Sequence, residues 1–450
     1  MFEKKNYKAV IKNYTRFKKL KSEYLRPFPP MPAIREAMMK AVQLREKGVH
    51  VFDFSSGSVG NLLFELSIFK NIRIEVNDEL PVPLKIVADG IKSGILNSCY
   101  PLLRAVGYSP TTGTPEQKRW VIKYMRDVHG VPLTDEDTDR VACTAGGQQA
   151  MAASLRAIRS GTDVFMLQWD YSPIPGIVRG NGCKLRRVKM HDDLSLDVDD
   201  LKKKIIDKSV FYVSMPNNPT GYTSVEDLRA IVEVMRTKGG GVIWDAPYLF
   251  TIFELTPKTN PTKARFNKEA VENLRKKFKE VVEKDYDDIC ILSSLSKTCL
   301  IAGLRFGFTT ANKQWIANME AIIGRENLSA PTLSFITGAH ILRMFLENPV
   351  THEWMCEILA NRITVLLEER IPLLLPKNGL YGALYALVKT PIEGTKIADD
   401  LLNKGMVTVS GASFYGEPVN AVRLSLVAVP WVEGDEKWID SVRALKKALG

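Results

Sequence analysis

In the sequence Ile289–Phe308, ICILSSLSKTCLIAGLRFGF, an apolar run precedes three serines, then Lys297 and Arg305. The run ICIL has the length and β-branched character of a buried strand. A lysine at the end of such a strand is costly unless its amine is neutral or bonded, and an amine of lowered pKa suits Schiff-base chemistry. Ser294 and Arg305 are then candidate donors to an anion, most simply a phosphate. The alternative for this stretch alone is an ion-paired lysine of the core.

The length of the chain predicts two subdomains, because 450 residues exceed the size at which one core keeps growing. Its six cysteines are scattered without a CxxC pair, which argues against a disulfide framework or a zinc site and predicts reduced thiols and a cytoplasmic location. The lysine-rich N-terminus lacks the apolar core of a signal peptide. No run of about 18 apolar residues occurs, so no membrane span is expected.

The net charge of +11 is concentrated at the N-terminus. Residues 1–26 hold nine basic and two acidic residues, a net of +7, which leaves +4 for the remainder. Apolar residues from Tyr7 to Tyr24 recur at helical spacing, so residues 1–26 are predicted to form a basic amphipathic helix or arm. We interpret it as a helix docked on its own or a partner subunit. An arm for nucleic acid or a membrane surface is the alternative.

The middle of the chain alternates strand-like and helix-like segments. This alternation predicts an α/β fold whose large domain holds a mostly parallel seven-stranded sheet between layers of helices, with a smaller α+β domain. The predicted strands are 140–145, 163–169, 184–190, 210–215, 241–246, 289–295 and 305–311. Residues 76–328 are expected to form the large domain, 329–450 the small one, and 27–75 a segment contributing to the small domain and the active site. Residues 254–285 are predicted to be a charged, helical elaboration.

Ligands of parallel sheets bind beyond the carboxyl ends of the strands. Chemically suggestive residues follow five of the predicted strands, which indicates one shared site. They are Gly146 and Gly147, Tyr171, Asn218, Asp245 with Tyr248, and Lys297.

Taken together, these segments resemble the fold type I pyridoxal phosphate enzymes, specifically the class I/II aminotransferases, over roughly residues 27–450. The resemblance is carried by five motifs in order: Gly146-Gly147-Gln148, Asn217-Asn218-Pro-Thr-Gly, Asp245-Ala-Pro-Tyr248, Ser294-Leu-Ser296-Lys297 with Arg305, and Asn420-Ala-Val-Arg423. Each motif is weak alone, since Asn-Pro-Thr-Gly also forms an ordinary turn.

The resemblance implies a role for each cofactor-binding residue. Lys297 would form the Schiff base with pyridoxal phosphate and then act as general base and acid. Asp245 would keep the pyridine nitrogen protonated. Asn218 and Tyr248 would donate to the phenolic oxygen, and Tyr171 would stack on the ring. The segment Trp169-Asp170 departs from the usual Pro-x-Tyr, which leaves open a core position or another site role for Tyr171.

For the phosphate, the resemblance implies the backbone amides of Gly147 and Gln148 at a helix N-terminus, with Ser294, Ser296 and Arg305 as further donors. Tyr108 matches the family tyrosine that reaches the phosphate of the neighbouring subunit, which implies a homodimer with shared sites. A tyrosine packed locally in its loop is the alternative.

For the substrate, Arg423 matches the family arginine that grips the α-carboxylate, with a surface ion pair as the alternative. Asn218 is also expected to contact substrate. Gly57 matches the small-residue turn that lies over it, unless that glycine is merely structural. Gln148 stands where one aspartate-using branch has a lysine, which removes that route to acidic specificity.

The resulting hypothesis is an aminotransferase that moves an amino group from an L-amino acid to a 2-oxo acid by ping-pong half-reactions. A lyase, decarboxylating or oxidase-type enzyme on the same fold remains an alternative, because the same residues activate the substrate in all of these. A ligand-sensing regulator would need a DNA-reading module, and residues 1–26 are too short for one. Neither nucleic acid nor membrane is therefore an expected partner.

Overall fold

A computed structural model describes residues 23–26, 46–48, 75–76, 79, 82–96, 108–256, 262–299, 301–348, 350–429 and 434–449. The strands are β1 Val141–Thr144, β2 Asp163–Leu167, β3 Lys184–Val188, β4 Val210–Ser214, β5 Gly241–Asp245, β6 Phe253–Thr256, β7 Lys263–Arg265, β8 Ile289–Ser294, β9 Gly307–Thr310, β10 Leu380–Tyr381, β11 Tyr385–Lys389, β12 Val409–Ser410 and β13 Ala421–Ser425. The α-helices are α1 Val82–Leu96, α2 Pro115–His129, α3 Gly147–Arg156, α4 Ile174–Gly180, α5 Val198–Lys204, α6 Val225–Thr237, α7 Lys268–Asp285, α8 Leu295–Thr298, α9 Lys313–Asn327, α10 Thr332–Glu347, α11 Val350–Glu368, α12 Gly394–Asn403, α13 Ala412–Tyr415 and α14 Gly434–Leu449.

The seven predicted strands form one seven-stranded sheet, in the order β1-β9-β8-β5-β4-β2-β3. The pairs β8–β5, β5–β4, β4–β2 and β2–β3 are parallel, and β9 is antiparallel to both of its neighbours. The predicted α/β class and mostly parallel sheet are therefore confirmed. The connection Leu295–Phe306, which holds the short helix α8, leads from β8 into β9, and β9 runs back along β8.

Helices cover both faces of this sheet, because successive side chains of each strand point to opposite sides. In β8, Ile289 and Ile291 pack in a core with α2, α6 and α7, whereas Cys290 and Leu292 pack in a second core with α3 and α9. Each β8 residue is buried, which explains the unbroken apolar run in the sequence.

The C-terminal part of the chain has a separate core of its own. It gathers buried residues of α11, β11, β13 and α14 around a three-stranded antiparallel sheet of order β11-β13-β12. Within the described residues, no helix is long and apolar enough to cross a membrane.

The prediction of a helical elaboration over residues 254–285 is wrong in its first part. Strand β6, Phe253–Thr256, pairs with both β10 and β7, Lys263–Arg265, and the helix begins only at Lys268. The burial of β6 alternates, with Phe253 and Leu255 inside, so a period of two was present in the sequence. Its shortness and the charged residues nearby masked that period.

Most of the predicted N-terminal helix lies outside the described residues, as does most of the segment 27–75. Residues 23–26 form a turn and a single bridge, Leu25 with Ile158, rather than the last turn of a helix. Tyr24 and Leu25 are buried, and the ring of Tyr24 meets Trp315 of α9 with centroids 5.6 Å apart. The end of the arm is therefore packed on the large sheet domain.

Gly307 is expected to be indispensable for stability. A Cβ at this position would lie 2.4 Å from the carbonyl carbon of Gly146 and 2.6 Å from the amide nitrogen of Gly147, and backbone atoms cannot move aside as a flexible side chain can. Gly307→Ala should lower the free energy of unfolding by about 1–3 kcal/mol, measured by urea denaturation of the cofactor-free protein. Gly303→Ala is the matched control, because its Cβ would meet no atom within 4 Å. Equal stability of the two variants would contradict this close approach.

Candidate active site

One cavity of about 160 Å³ lies at the carboxyl edge of the large sheet. The parallel strands β1, β2, β4, β5 and β8 all end there, and the antiparallel β9 begins there, so the turns beside them converge. Ten of the eleven predicted cofactor residues line this cavity: Gly147, Gln148, Tyr171, Asn218, Asp245, Tyr248, Ser294, Ser296, Lys297 and Arg305. Four further residues complete its wall: Met151, Ser214, Pro247 and Ala302.

Lys297 lies half-buried on the short helix α8 that follows β8. Ser294 begins this helix, and its buried hydroxyl accepts a hydrogen bond of 3.1 Å from the amide of Ser296. The serines after the strand thus cap the turn that carries the lysine, which explains their small size and their position.

Asp245 is the carboxylate of the cavity, at the end of β5. Burial raises its pKa to about 6, and the hydroxyl of Tyr212 and the charge of Lys297 act in the opposite direction. The Tyr212 hydroxyl donates to Asp245 Oδ2 at 2.7 Å from the neighbouring strand β4. The sequence analysis did not identify Tyr212 as a site residue. The available signal for such a role was its position on a predicted strand, six residues before Asn218.

Helix α3 begins at Gly147, and Gly146 before it has a positive φ of 81°. No side chain caps the first turn, and its residues Gly147 and Gln148 line the cavity. The guanidinium of Arg305 lies against Gly146, where a Cβ would come within 2.3 Å of its Nη2. Arg305 donates to the carbonyls of Ala302 and Ala145, at 2.7 and 3.4 Å, contacts that leave its positive charge unneutralised.

Arg423, on β13, approaches the cavity from the C-terminal part of the chain. Its Nη1 donates to Asn218 Oδ1 at 3.0 Å, so the predicted substrate residues Asn218 and Arg423 are in direct contact. Burial lowers the pKa of Arg423. Arg423 itself is not part of the cavity wall.

A buried carboxylate, Asp170, organises the turns after β2 and β4. It accepts from the Ser214 hydroxyl at 2.5 Å and from the Tyr171 amide at 2.8 Å. The Ser214 hydroxyl in turn accepts from the Asn218 amide at 3.2 Å. Burial raises the pKa of Asp170 to about 7. The segment Trp169-Asp170, which departs from the usual Pro-x-Tyr, therefore supplies a carboxylate that connects Tyr171 to Asn218 through Ser214.

The side chains of Tyr171 and Tyr248 also differ in their partners. The Tyr171 hydroxyl donates to Gln148 Oε1 at 3.2 Å, across the mouth of the cavity. Tyr248 is buried, and its pKa is raised well above the ordinary tyrosine value, first by burial and then by the neighbouring phenol of Tyr385, whose ring centroid lies 6.3 Å away. Tyr385 is a second site residue that the sequence analysis missed.

Two predicted site residues lie away from this cavity or outside the description. Tyr108 is 54% exposed and does not line the cavity. Gly57 lies outside the described residues.

Comparison with known proteins places the chain in a family. Residues 104–437 match the family described as aminotransferase class I and II. Histidinol-phosphate aminotransferase 2 of Mannheimia succiniciproducens is 25% identical over 296 residues, covering 65% of this chain and 76% of that protein. Aspartate aminotransferase of Pyrococcus horikoshii is 22% identical over 351 residues, covering 76% and 83%. A double mutant of Thermus thermophilus aspartate aminotransferase has a TM-score of 0.67 at 20% identity, covering 94% and 97%.

The fold and the cavity thus define an enzyme of the fold type I pyridoxal phosphate class. The chain belongs to the aminotransferase class I and II family and is an aminotransferase, as the sequence predicted. This match favours transamination over the lyase, decarboxylating and oxidase alternatives. It also favours an enzyme over a regulator.

Tyr212 is expected to set the pH at which Asp245 ionises. Tyr212→Phe removes a hydrogen bond that stabilises the carboxylate, so the pKa of Asp245 should rise above about 6. Affinity of the cofactor-free protein for pyridoxal phosphate should depend on the ionised carboxylate, and its loss on acidification should begin roughly one pH unit higher in the variant. Spectrophotometric titration with the cofactor at several pH values between about 5 and 8 measures how the affinity depends on pH, and this range covers a shift of about one unit.

The matched control is Tyr222→Phe, which removes an equivalent hydrogen bond of 2.7 Å to Asp227, a carboxylate that does not line the cavity. Its pH dependence of cofactor affinity should follow that of the wild type. A shift of the same size in both variants would show that Tyr212 has no specific effect on Asp245.

Proposed function

We propose that this cavity binds pyridoxal 5′-phosphate and that the enzyme moves an amino group from an amino acid to a 2-oxo acid. The observation that carries the proposal is that one cavity collects Asp245, Lys297 and Arg305, an acid, an amine and a cation of complementary roles. Bound there, the cofactor would supply an electron sink for the electrons released at the substrate Cα.

The donor set fits each part of that cofactor. The uncapped amides at the start of α3 and the unneutralised guanidinium of Arg305 suit a phosphate dianion. The half-buried carboxylate of Asp245 suits a protonated ring nitrogen, because a charge removed from water needs a partner. Lys297 is the amine that would hold the cofactor covalently.

The remaining residues bind and orient. Lys297 Nζ is the base that would take the proton from the substrate Cα and return it. Asn218 and Tyr248 would donate to the ring oxygen, and Tyr171 would cover a face of the ring. Arg423, already held by Asn218, would bind the substrate carboxylate through its fork of donors.

The amino donor is to be found by a substrate panel. The relatives are named for histidinol phosphate and for aspartate, so both compounds belong in the panel beside the common amino acids. A productive donor converts the absorbance of the holoenzyme, and a 2-oxo acid restores it. Release of ammonia or peroxide without an acceptor would instead identify the lyase or oxidase alternative.

We further propose a homodimer with shared sites. Tyr108 would reach the phosphate of the neighbouring subunit, which agrees with its exposure and its position outside the wall of its own cavity.

Lys297→Ala should abolish transamination, with a loss of roughly 10³-fold or more, because no other amine would provide the covalent attachment and the base. Borohydride reduction of wild-type holoenzyme followed by peptide mapping should place the pyridoxyl label on the peptide that contains Lys297. Lys284→Ala changes an exposed lysine of α7 and serves as control, with activity and labelling retained. A label on any other lysine would refute the assignment.

Shared sites predict complementation between inactive chains. Tyr108→Ala should weaken cofactor affinity roughly 10- to 100-fold, and Lys297→Ala should remove the amine. Hybrid dimers of the two would contain one site with an intact Lys297 and an intact Tyr108 from the other chain. Activity should therefore appear when the two are unfolded and refolded together. No recovery, with hybrids shown by differential tags, would place Tyr108 in its own site or in none.

A further inference from the structure

Arg423 is held in an unusual way for a half-buried cation. Its guanidinium carbon lies 3.9 Å from the ring centroid of Tyr385 and 4.5 Å from that of Phe414. Its Nη1 donates to Asn218, and its buried Nε has no partner among the described residues. The groups that act on its charge are the phenols of Tyr385, Tyr248 and Tyr171. Neutral groups therefore surround a charged side chain, and its positive charge remains available to a ligand.

We propose that Tyr385 and Phe414 form an aromatic clamp that positions Arg423 and thereby sets the affinity of the enzyme for the substrate carboxylate. The inference deepens the proposed function, since the ligand of Arg423 is the carboxylate of the amino and 2-oxo acids. An acidic partner would orient the guanidinium equally well, but it would compete with that carboxylate. Aromatic faces attract the cation without occupying its hydrogen-bond donors.

The sheet itself places Tyr385 in the clamp. Arg423 of β13 lies opposite Leu387 of β11, and Tyr385 is two residues from Leu387, hence on the same face of the two-stranded pair. The ring of Tyr385 also meets the ring of Tyr248, a residue of the cavity wall, edge to face with centroids 6.3 Å apart. Tyr385 thus connects the arginine to the wall of the cofactor cavity.

Phe414 is positioned by contacts with Arg187. Its carbonyl accepts a hydrogen bond of 2.8 Å from Arg187 Nη1, and the same nitrogen donates to Gln168 at 2.6 Å. A Cβ at Gly416 would lie 2.7 Å from Arg187 Nε, so this glycine allows the guanidinium to pack closely beneath the turn. Arg187, at the edge of the large sheet, therefore ties the turn that carries Phe414 to the end of β2.

The clamp is tested by comparing a carboxylate with its neutral amide. Straight-chain monocarboxylates from acetate to hexanoate, and the corresponding amides, are titrated against the cofactor-free protein and the holoenzyme by ligand-observed NMR. The wild type should prefer the acid to its amide, and Arg423→Gln should remove that preference. Tyr385→Leu and Phe414→Leu should each reduce affinity for the acid roughly 3- to 30-fold and leave affinity for the amide unchanged.

Two variants distinguish positioning from general structure. Tyr385→Phe keeps the ring and loses only the phenolic hydroxyl, so its affinity for the acid should remain within about twofold of the wild type. Tyr415→Leu removes an aromatic ring from the same turn, where it packs on Trp169 at 4.7 Å instead, and should leave the preference for the acid unchanged. In steady-state assays the two leucine variants of the clamp should raise KM for the 2-oxo acid more than they lower kcat.

Each outcome bears on one proposal. The clamp is refuted if wild type does not distinguish acid from amide, or if Tyr385→Leu and Phe414→Leu both retain the preference. If the melting curve shows that Tyr385→Leu or Phe414→Leu does not fold, the other leucine variant and the comparison with Tyr385→Phe test the clamp. A preserved preference for the acid in a protein without transaminase activity would count against the proposed function and leave the clamp standing.

Discussion

Parallel pairing of β5 with β8 is the constraint on which the active site depends. Asp245, the last residue of β5, lies opposite Leu292, and the amide of Ala246 donates to the Leu292 carbonyl at 2.9 Å, while β8 continues to Ser294. The chain then needs only the short turn capped by Ser294 to place Lys297 beside the carboxylate. An acid and an amine that are far apart in sequence thereby share one cavity, where the charge of Lys297 opposes the rise that burial causes in the pKa of Asp245.

The antiparallel strand β9 completes the same edge. Since it runs against β8 and β1, Arg305, two residues before its first residue, lies at the edge where its neighbours end. Gly307 permits this return, because it lies against the backbone that joins Gly146 to Gly147. A cation and the start of helix α3 consequently come together, and both favour an anion.

Much of this arrangement could be predicted from the sequence, because a strand buried on both faces is an unbroken apolar run and its end is marked by small and polar residues. The seven strands and the cavity residues after them followed from that pattern. The contacts of Tyr212, Asp170 and Tyr385 did not, since each depends on register between strands distant in sequence. A tyrosine inside a strand has the same pattern whether its hydroxyl meets solvent, a carbonyl or a catalytic carboxylate. Strands β6 and β7 were missed for a related reason, since four or three residues give too few alternations to recognise.

The buried polar groups of the site form two connected sets that differ in origin. Tyr212 and Asp170 belong to the large sheet domain and act on Asp245, Tyr171 and Asn218. Tyr385 and Phe414 belong to the C-terminal part of the chain and act on Arg423. The two sets meet at two places, the hydrogen bond from Arg423 to Asn218 and the ring contact between Tyr385 and Tyr248. Binding of a carboxylate at Arg423 would therefore be felt at both residues expected to contact the ring oxygen, which gives substrate recognition a direct physical route to the chemistry.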